Sequence, residues 1–196
     1  AGLAYVTEDR KSLGLVLIDT IRRNIPLANL RGVAPKGVID RHKEGQVARD
    51  YRKQINIRSS SIDQATVNLS GGNQQKVVLA KWLFSGPEIL ILDEPTAALQ
   101  ENDSQKLLDL MLELKAQGVT QIIISHKLNE IRRVADRVTV IRDGSTVSTL
   151  TRDEITEDRI IRDMVGRDLA HRYPDRTPQI GEVLMRVRDW TVWHPD

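Results

Sequence analysis

Asp93 and Glu94 stand directly after the apolar run Ile89-Leu90-Ile91-Leu92 and before Pro95-Thr96. A carboxylate at the tip of a strand can hold Mg²⁺, usually through water, beside nucleotide phosphates. The next carboxylate can polarise an attacking water, because phosphoryl transfer depends on positioning and charge neutralisation more than on covalent chemistry. Upstream, Leu69-Ser70-Gly71-Gly72 precedes a helical pattern. Small residues there expose backbone N–H groups at a helix N-terminus, where free amides and the helix dipole favour a phosphate. His126 follows the strand-like Ile122-Ile123-Ile124-Ser125. A lone histidine at such a place is more often structural, and a lone Asp-Glu-Pro could come from any acidic loop. Order and spacing together raise the specificity of both.

These residues need elements to hold them. The apolar run 89–92, entered from Gly86-Pro87, predicts a strand buried on both faces, with Asp93 and Glu94 at its carboxyl end, where open parallel sheets bind ligands. Val77, Ala80, Leu83 and Phe84 share a helical face, with Asn73, Gln74 and Gln75 keeping its first turn polar and Trp82 assigned to the core. Leu3 to Val6 is strand-like. Ile18, Ile21 and Ile25 predict a helix over 18–25 that Pro26 stops. Gly32, Pro35 and Gly37 mark a loop, and residues 43–54 are helix-compatible and polar, with Val47 and Tyr51 as an apolar pair. Asn102 is the expected N-cap of a helix carrying Leu107, Leu110, Met111 and Leu114, which Gly118 ends. Residues 120–125 read as a strand, and Leu128, Ile131 and Val134 as a short helix. Asp143-Gly144 between two strand patterns is a hairpin signal, and Thr156 caps a helix that runs to about Val165 and Gly166.

The segment 68–96 resembles the signature motif, following helix and Walker B strand of an ATP-binding-cassette (ABC) ATPase. The variant Leu-Ser-Gly-Gly-Asn-Gln-Gln-Lys is similar to the ATPase subunits of bacterial monosaccharide importers of the ribose, xylose and galactose type. The resemblance implies an α/β fold: an incomplete P-loop NTPase with a mainly parallel sheet, a helical subdomain and a C-terminal β-hairpin. It implies a subunit that hydrolyses ATP with Mg²⁺ to energise sugar import. Its partners would be transmembrane permease subunits, a second cassette and, indirectly, a periplasmic sugar-binding protein, at the cytoplasmic face of the bacterial inner membrane. By the same resemblance Glu94 and His126 are catalytic, and Asp93 holds Mg²⁺ through water. Ser70, Gly71, Gly72 and Gln74 contact ATP bound to an opposing cassette, and Glu8, in Val-Thr-Glu-Asp-Arg-Lys, stands near the Q-loop position. The usual aspartate after Thr96-Ala97-Ala98-Leu99 is replaced by Gln100.

The chain has 196 residues, of which 40% are hydrophobic and 29% charged, as expected of a globular protein with one core. No apolar run reaches the roughly 20 residues of a membrane helix, and no signal-peptide pattern opens the sequence. It holds no cysteine, which excludes disulfides and thiolate metal sites. A net charge of +2, from 29 basic and 27 acidic residues, argues against a nucleic-acid partner.

No segment of the form G-x-x-x-x-G-K-[ST] occurs, although an ABC ATPase needs one to cradle the phosphates. Its expected place precedes residue 1. The expected organisation is therefore a partial cassette over 1–170, with the helical subdomain at about 11–67, a linker over 171–181 and the start of a truncated following domain over 182–196. A second expectation is that the chain joins two homologous cassettes across Leu-Asp-Glu-Pro-Thr, since 1–96 resembles a second and 96–196 a first tandem cassette. A catalytically incompetent fragment is the competing reading, and a non-transport ABC ATPase a weaker one.

Overall fold

The computed structural model describes residues 2–166, 181 and 185–191. Three parallel strands form the central sheet in the order β1 (Leu3–Val6), β2 (Ile89–Asp93), β3 (Thr120–Ile124). Leu3 pairs with Ile89 and Val6 with Leu92; Ile89 pairs with Thr120 and Asp93 with Ile124. Between β1 and β2 the regular elements are all helical, joined by loops: a single π-helical turn at Arg10–Gly14, α1 (Ile21–Asn24), a 3-10 segment at Ile25–Asn29, α2 (Leu30–Val33), α3 (Arg41–Gln54), a 3-10 turn at Thr66–Asn68 and α4 (Gly71–Leu83). After β2 come α5 (Glu101–Ala116), β3 and α6 (Leu128–Val134). An antiparallel hairpin, β4 (Arg137–Arg142) and β5 (Ser145–Thr151), then packs with α7 (Glu157–Val165).

The main core gathers Ala4, Val6, Leu90 and Leu92 from the sheet with Ile21, Ile25, Val77, Val78, Leu108 and Met111 from the helices. Full burial of each of the larger side chains stabilises by about 1.5–3 kcal/mol. A smaller cluster, Val138, Val140, Leu150, Ile155 and Ile160, lies under the hairpin.

Several expectations are corrected. The sheet is covered on one face only: Leu90 and Leu92 are fully buried, whereas Leu3 (55%), Tyr5 (41%), Ile122 (50%) and Ile124 (50%) are exposed. Residues i and i+2 share a face of a strand, and no described residue covers this one. The helix expected over 18–25 begins only at Ile21, because Thr20 caps it by accepting from the Arg23 N–H, and Ile18 is 88% exposed. Pro26 does not end the helical path; it sits at the start of the 3-10 segment, where its missing N–H is harmless. The N-cap of α5 is Gln100 rather than Asn102. Gln74 and Gln75, expected on a polar first turn, are both buried. Within 182–196, the described residues 185–191 form no strand and are exposed. The rest of that segment, and 171–180 of the expected linker, lie outside the described residues. Among the described residues, no helix is long and apolar enough to cross a membrane.

Candidate functional site

The carboxyl ends of β2 and β3 bring Glu94 and His126 together. The Glu94 N–H donates to the Ile124 carbonyl at 2.9 Å, extending the ladder by one step. Glu94 itself leaves extended geometry with φ +42°, a left-handed conformation costly for a residue with a Cβ, by about 1–2 kcal/mol. This turn carries the side chain back toward β3. Its Oε1 accepts from the His126 N–H at 3.1 Å and lies 2.7 Å from His126 Nδ1. A carboxylate there favours the tautomer with the proton on Nδ1, leaving Nε2 as an outward acceptor. The Glu94 side chain is 15% exposed and the His126 side chain 72%. Glu94 Oε2 is buried with no hydrogen-bond partner among the described residues. It is an acceptor left unused within the site.

Asp93, on β2, shares a sheet face with Tyr5, because Tyr5 pairs with Ile91 two residues earlier. The Tyr5 hydroxyl donates to Asp93 Oδ2 at 2.7 Å. That hydrogen bond, with lesser contributions from partial desolvation and the carboxylate charge, holds the phenol above its ordinary pKa. Tyr5 was not singled out by the sequence; only the strand register reveals it.

A cavity of about 320 Å³ opens beside Glu94 and is lined by Glu8, Asp9, Arg10, Gln75, Ala97 and Ala98. Glu8 is exposed and enters the site from the turn after β1. Asp9 fixes that turn by accepting from the Ser12 and Lys11 N–H groups, and the Ser12 bond above all lowers its pKa. Gln75 is buried, and its Nε2 has no partner among the described residues.

Ser70, Gly71 and Gly72 lie apart from this cavity's lining, at the N-terminus of α4. Ser70 caps the helix: its Oγ accepts from the Asn73 N–H at 3.4 Å and side-chain amide at 2.9 Å. The glycines are also required by close approach. A Cβ on Gly71 would lie 2.6 Å from an Arg10 nitrogen, and one on Gly72 3.0 Å from the Ala98 carbonyl. Gln74 turns inward, accepting from Arg10 Nε at 3.2 Å and donating to the Thr66 carbonyl at 3.0 Å. Both ends of its amide are therefore engaged within the chain, between the turn after β1 and the helix start. The structure thus brings Glu8 and Glu94 to one cavity and pairs Glu94 with His126. It sets the signature loop against Arg10 and Ala98.

Residues 3–97 match the sequence model of the ABC transporter family. The L-arabinose transport ATP-binding protein AraG of Geobacillus stearothermophilus is 50% identical over 187 residues, covering 94% of this chain and 36% of that protein. The ribose import ATP-binding protein RbsA of Bacillus subtilis is 43% identical over 143 residues, covering 73% of this chain and 29% of that protein. The chain thus spans about a third of the length of the curated relatives it matches. Among solved structures, the dimeric post-hydrolysis state of the ATP-binding cassette MJ0796 with ADP and Pi superposes with a TM-score of 0.67 at 23% identity, over 76% of this chain and 62% of that one. The ADP conformation of the cassette MJ1267 gives 0.59 at 20%, over 85% and 69%. At these identities the likeness concerns the fold, which is that of an ABC cassette.

Proposed function

Residues 3–97 belong to the ABC transporter family, and from that premise we propose that the chain is part of an ATP-hydrolysing subunit that energises sugar import. The observation that carries the reading is the Glu94–His126 pair, 2.7 Å apart at the carboxyl edge of the sheet. In this role Glu94 orients the attacking water through its free Oε2, and His126 holds Glu94 from Nδ1–H. Asp93, steadied by Tyr5, would hold Mg²⁺ through water. A single carboxylate fits an ion that keeps most of its waters and binds the substrate's phosphates. Mg²⁺, when bound, neutralises charge developing on the phosphates. Glu8 approaches the same cavity from the turn after β1. Ser70, Gly71 and Gly72 offer the N-terminus of α4 to a nucleotide on an opposing cassette.

The phosphate cradle lies outside these 196 residues, since no G-x-x-x-x-G-K-[ST] segment is among them. The identity of the sugar belongs to the arabinose and ribose classes handled by the relatives' namesakes. Permease docking falls to the helical stretch between β1 and β2, where Leu13, Ile18, Val38 and Ile39 are exposed apolar residues. In this reading the chain works peripherally at the cytoplasmic face of a bacterial inner membrane, bound to the permease through that surface. Turnover of MgATP tests the reading. The chain alone should hydrolyse negligibly. Joined to a segment bearing a phosphate loop, it should hydrolyse ATP, and Glu94→Gln should abolish turnover while ATP stays bound. Turnover undiminished in Glu94→Gln would overturn the assignment.

A further inference from the structure

We infer that Thr96, Lys127 and Glu130 are positioning residues that set the Glu94–His126 hydrogen bond. The inference rests on the reading of that pair as the proposed hydrolytic site.

Thr96 lies two residues after Glu94 and is fully buried. Its hydroxyl donates to Glu130 Oε2 at 2.6 Å. Lys127, the neighbour of His126, donates from Nζ to both the Thr96 carbonyl and its Oγ1 at 3.2 Å. Lys127 also pairs with Glu130 at 3.4 Å. The three groups form a closed circuit in which Thr96 Oγ1 accepts from the ammonium and donates its O–H to the carboxylate. Hydrogen bonds to charged partners are stronger than neutral ones, and a largely buried carboxylate is costly to leave unmatched. The Glu130 side chain is 13% exposed and that of Lys127 35%.

The circuit joins the turn after β2 to the turn after β3. Those turns carry Glu94 and His126 one or two residues away. Beyond the β2–β3 ladder, which ends with Asp93 opposite Ile124, the Glu94 N–H to Ile124 carbonyl bond and the Glu94–His126 contacts also tie the two ends together. Glu94 also has an unfavourable φ. A conformation of that kind persists only when its surroundings over-determine it. The Thr96 anchor supplies such a constraint on its C-terminal side. A purely structural account exists: Glu130 sits in the first turn of α6, where a negative charge suits the helix dipole. It predicts effects on stability alone, with no change in the state of His126.

The test reads the His126 ring directly, in the chain alone and without nucleotide. Nitrogen-15 correlation spectra at a pH where imidazole is neutral, about 8.5, give the ratio of Nδ1–H to Nε2–H tautomers. Glu94→Gln sets the reference for a ring without its carboxylate. Thr96→Val, isosteric but unable to donate, should lower the ratio of Nδ1–H to Nε2–H tautomers roughly fivefold toward that reference, the size of one weakened hydrogen bond. Lys127→Met should lower it in the same direction, and Thr96→Ser should restore the wild-type ratio. If Thr96→Val does not fold, Lys127→Met decides, because its side chain is partly exposed. A wild-type ratio in folded Thr96→Val, or in Lys127→Met when that variant decides, overturns the inference; so does a Glu94→Gln ratio equal to wild type. Failure of ATP turnover would count against the proposed function and leave the tautomer result standing.

Discussion

The side-chain hydrogen bonds that close the β4–β5 hairpin and α7 join residues 3 to 25 positions apart. Those that tie the end of β2 to β1 and to the turn after β3 join residues 31 to 88 apart. The hairpin unit is finished by its own neighbours. Thr151 and Glu154 form a reciprocal capping box, and Thr156 caps α7. Gly166 ends α7 at φ +74°, and Arg142 donates to a carbonyl near its end. Arg152 donates to the Arg132 and Ala135 carbonyls at the end of α6. Arg142, Arg152 and Arg159 are engaged by carbonyls and carboxylates within the chain. The sheet region, by contrast, leaves an apolar face uncovered at Leu3, Tyr5, Ile122 and Ile124. Its chemistry depends on strands assembled from distant sequence. Local closure gives a unit that stabilises itself; distant closure gives a site whose groups are only as well placed as the whole sheet.

The largest test of this contrast compares the two cores. Leu90→Ala should destabilise the sheet region by about 2–5 kcal/mol, read as lost amide protection across β1–β3. Ile160→Ala should cost an amount in the same range, but with protection lost within 137–165. Loss spreading equally to β1–β3 would break the distinction. Thr156→Ala should remove about 1 kcal/mol by leaving the Arg159 N–H without its cap; denaturant melts of the hairpin signals measure it.

A smaller effect comes from acid. Ser148 first and Arg159 second hold Asp163 below its ordinary pKa. A carboxylate with a depressed folded pKa contributes stability above its unfolded value, about pH 4. That contribution is lost as pH falls through the folded value. Asp163→Asn should therefore flatten the acid decline of the hairpin unit below about pH 4, leaving neutral stability to report the lost hydrogen bonds. The smallest change in stability is expected from Ile124→Thr on the open sheet face, within about 0.5 kcal/mol. It should nonetheless reduce self-association in sedimentation, since exposed apolar patches associate.

The same division explains what could be read from the amino-acid order. Asp143-Gly144 announces the hairpin because both residues must take positive φ, as they do at +50° and +74°. Thr156 and Gly166 mark α7 from both ends. The register shift between Val140 and Ile141 had no such local mark. For the sheet, the strands were legible as apolar runs, but their order and the one-sided burial were not. Those depend on what packs across them, not on the runs themselves. The pairing of Tyr5 with Asp93 needs the register of two strands 88 residues apart. The inward turn of Gln74 needs Arg10, 64 residues away. The circuit of Thr96, Lys127 and Glu130 was equally hidden, because threonine after proline and a short charged helix start are common surface features.

The left-handed backbone at Glu94 sets selection for stability against selection for chemistry. Asparagine tolerates positive φ better than glutamate. Glu94→Asn should therefore relieve part of a penalty of about 1–2 kcal/mol while withdrawing the carboxylate from His126. A screen that rewards only thermal tolerance or expression would then drift toward a sturdier and chemically silent chain. Persistence of glutamate at this position under such a screen would mean that its bonds to His126 outweigh the strain. Its loss would measure how much stability the fold gives up to keep that carboxylate in place.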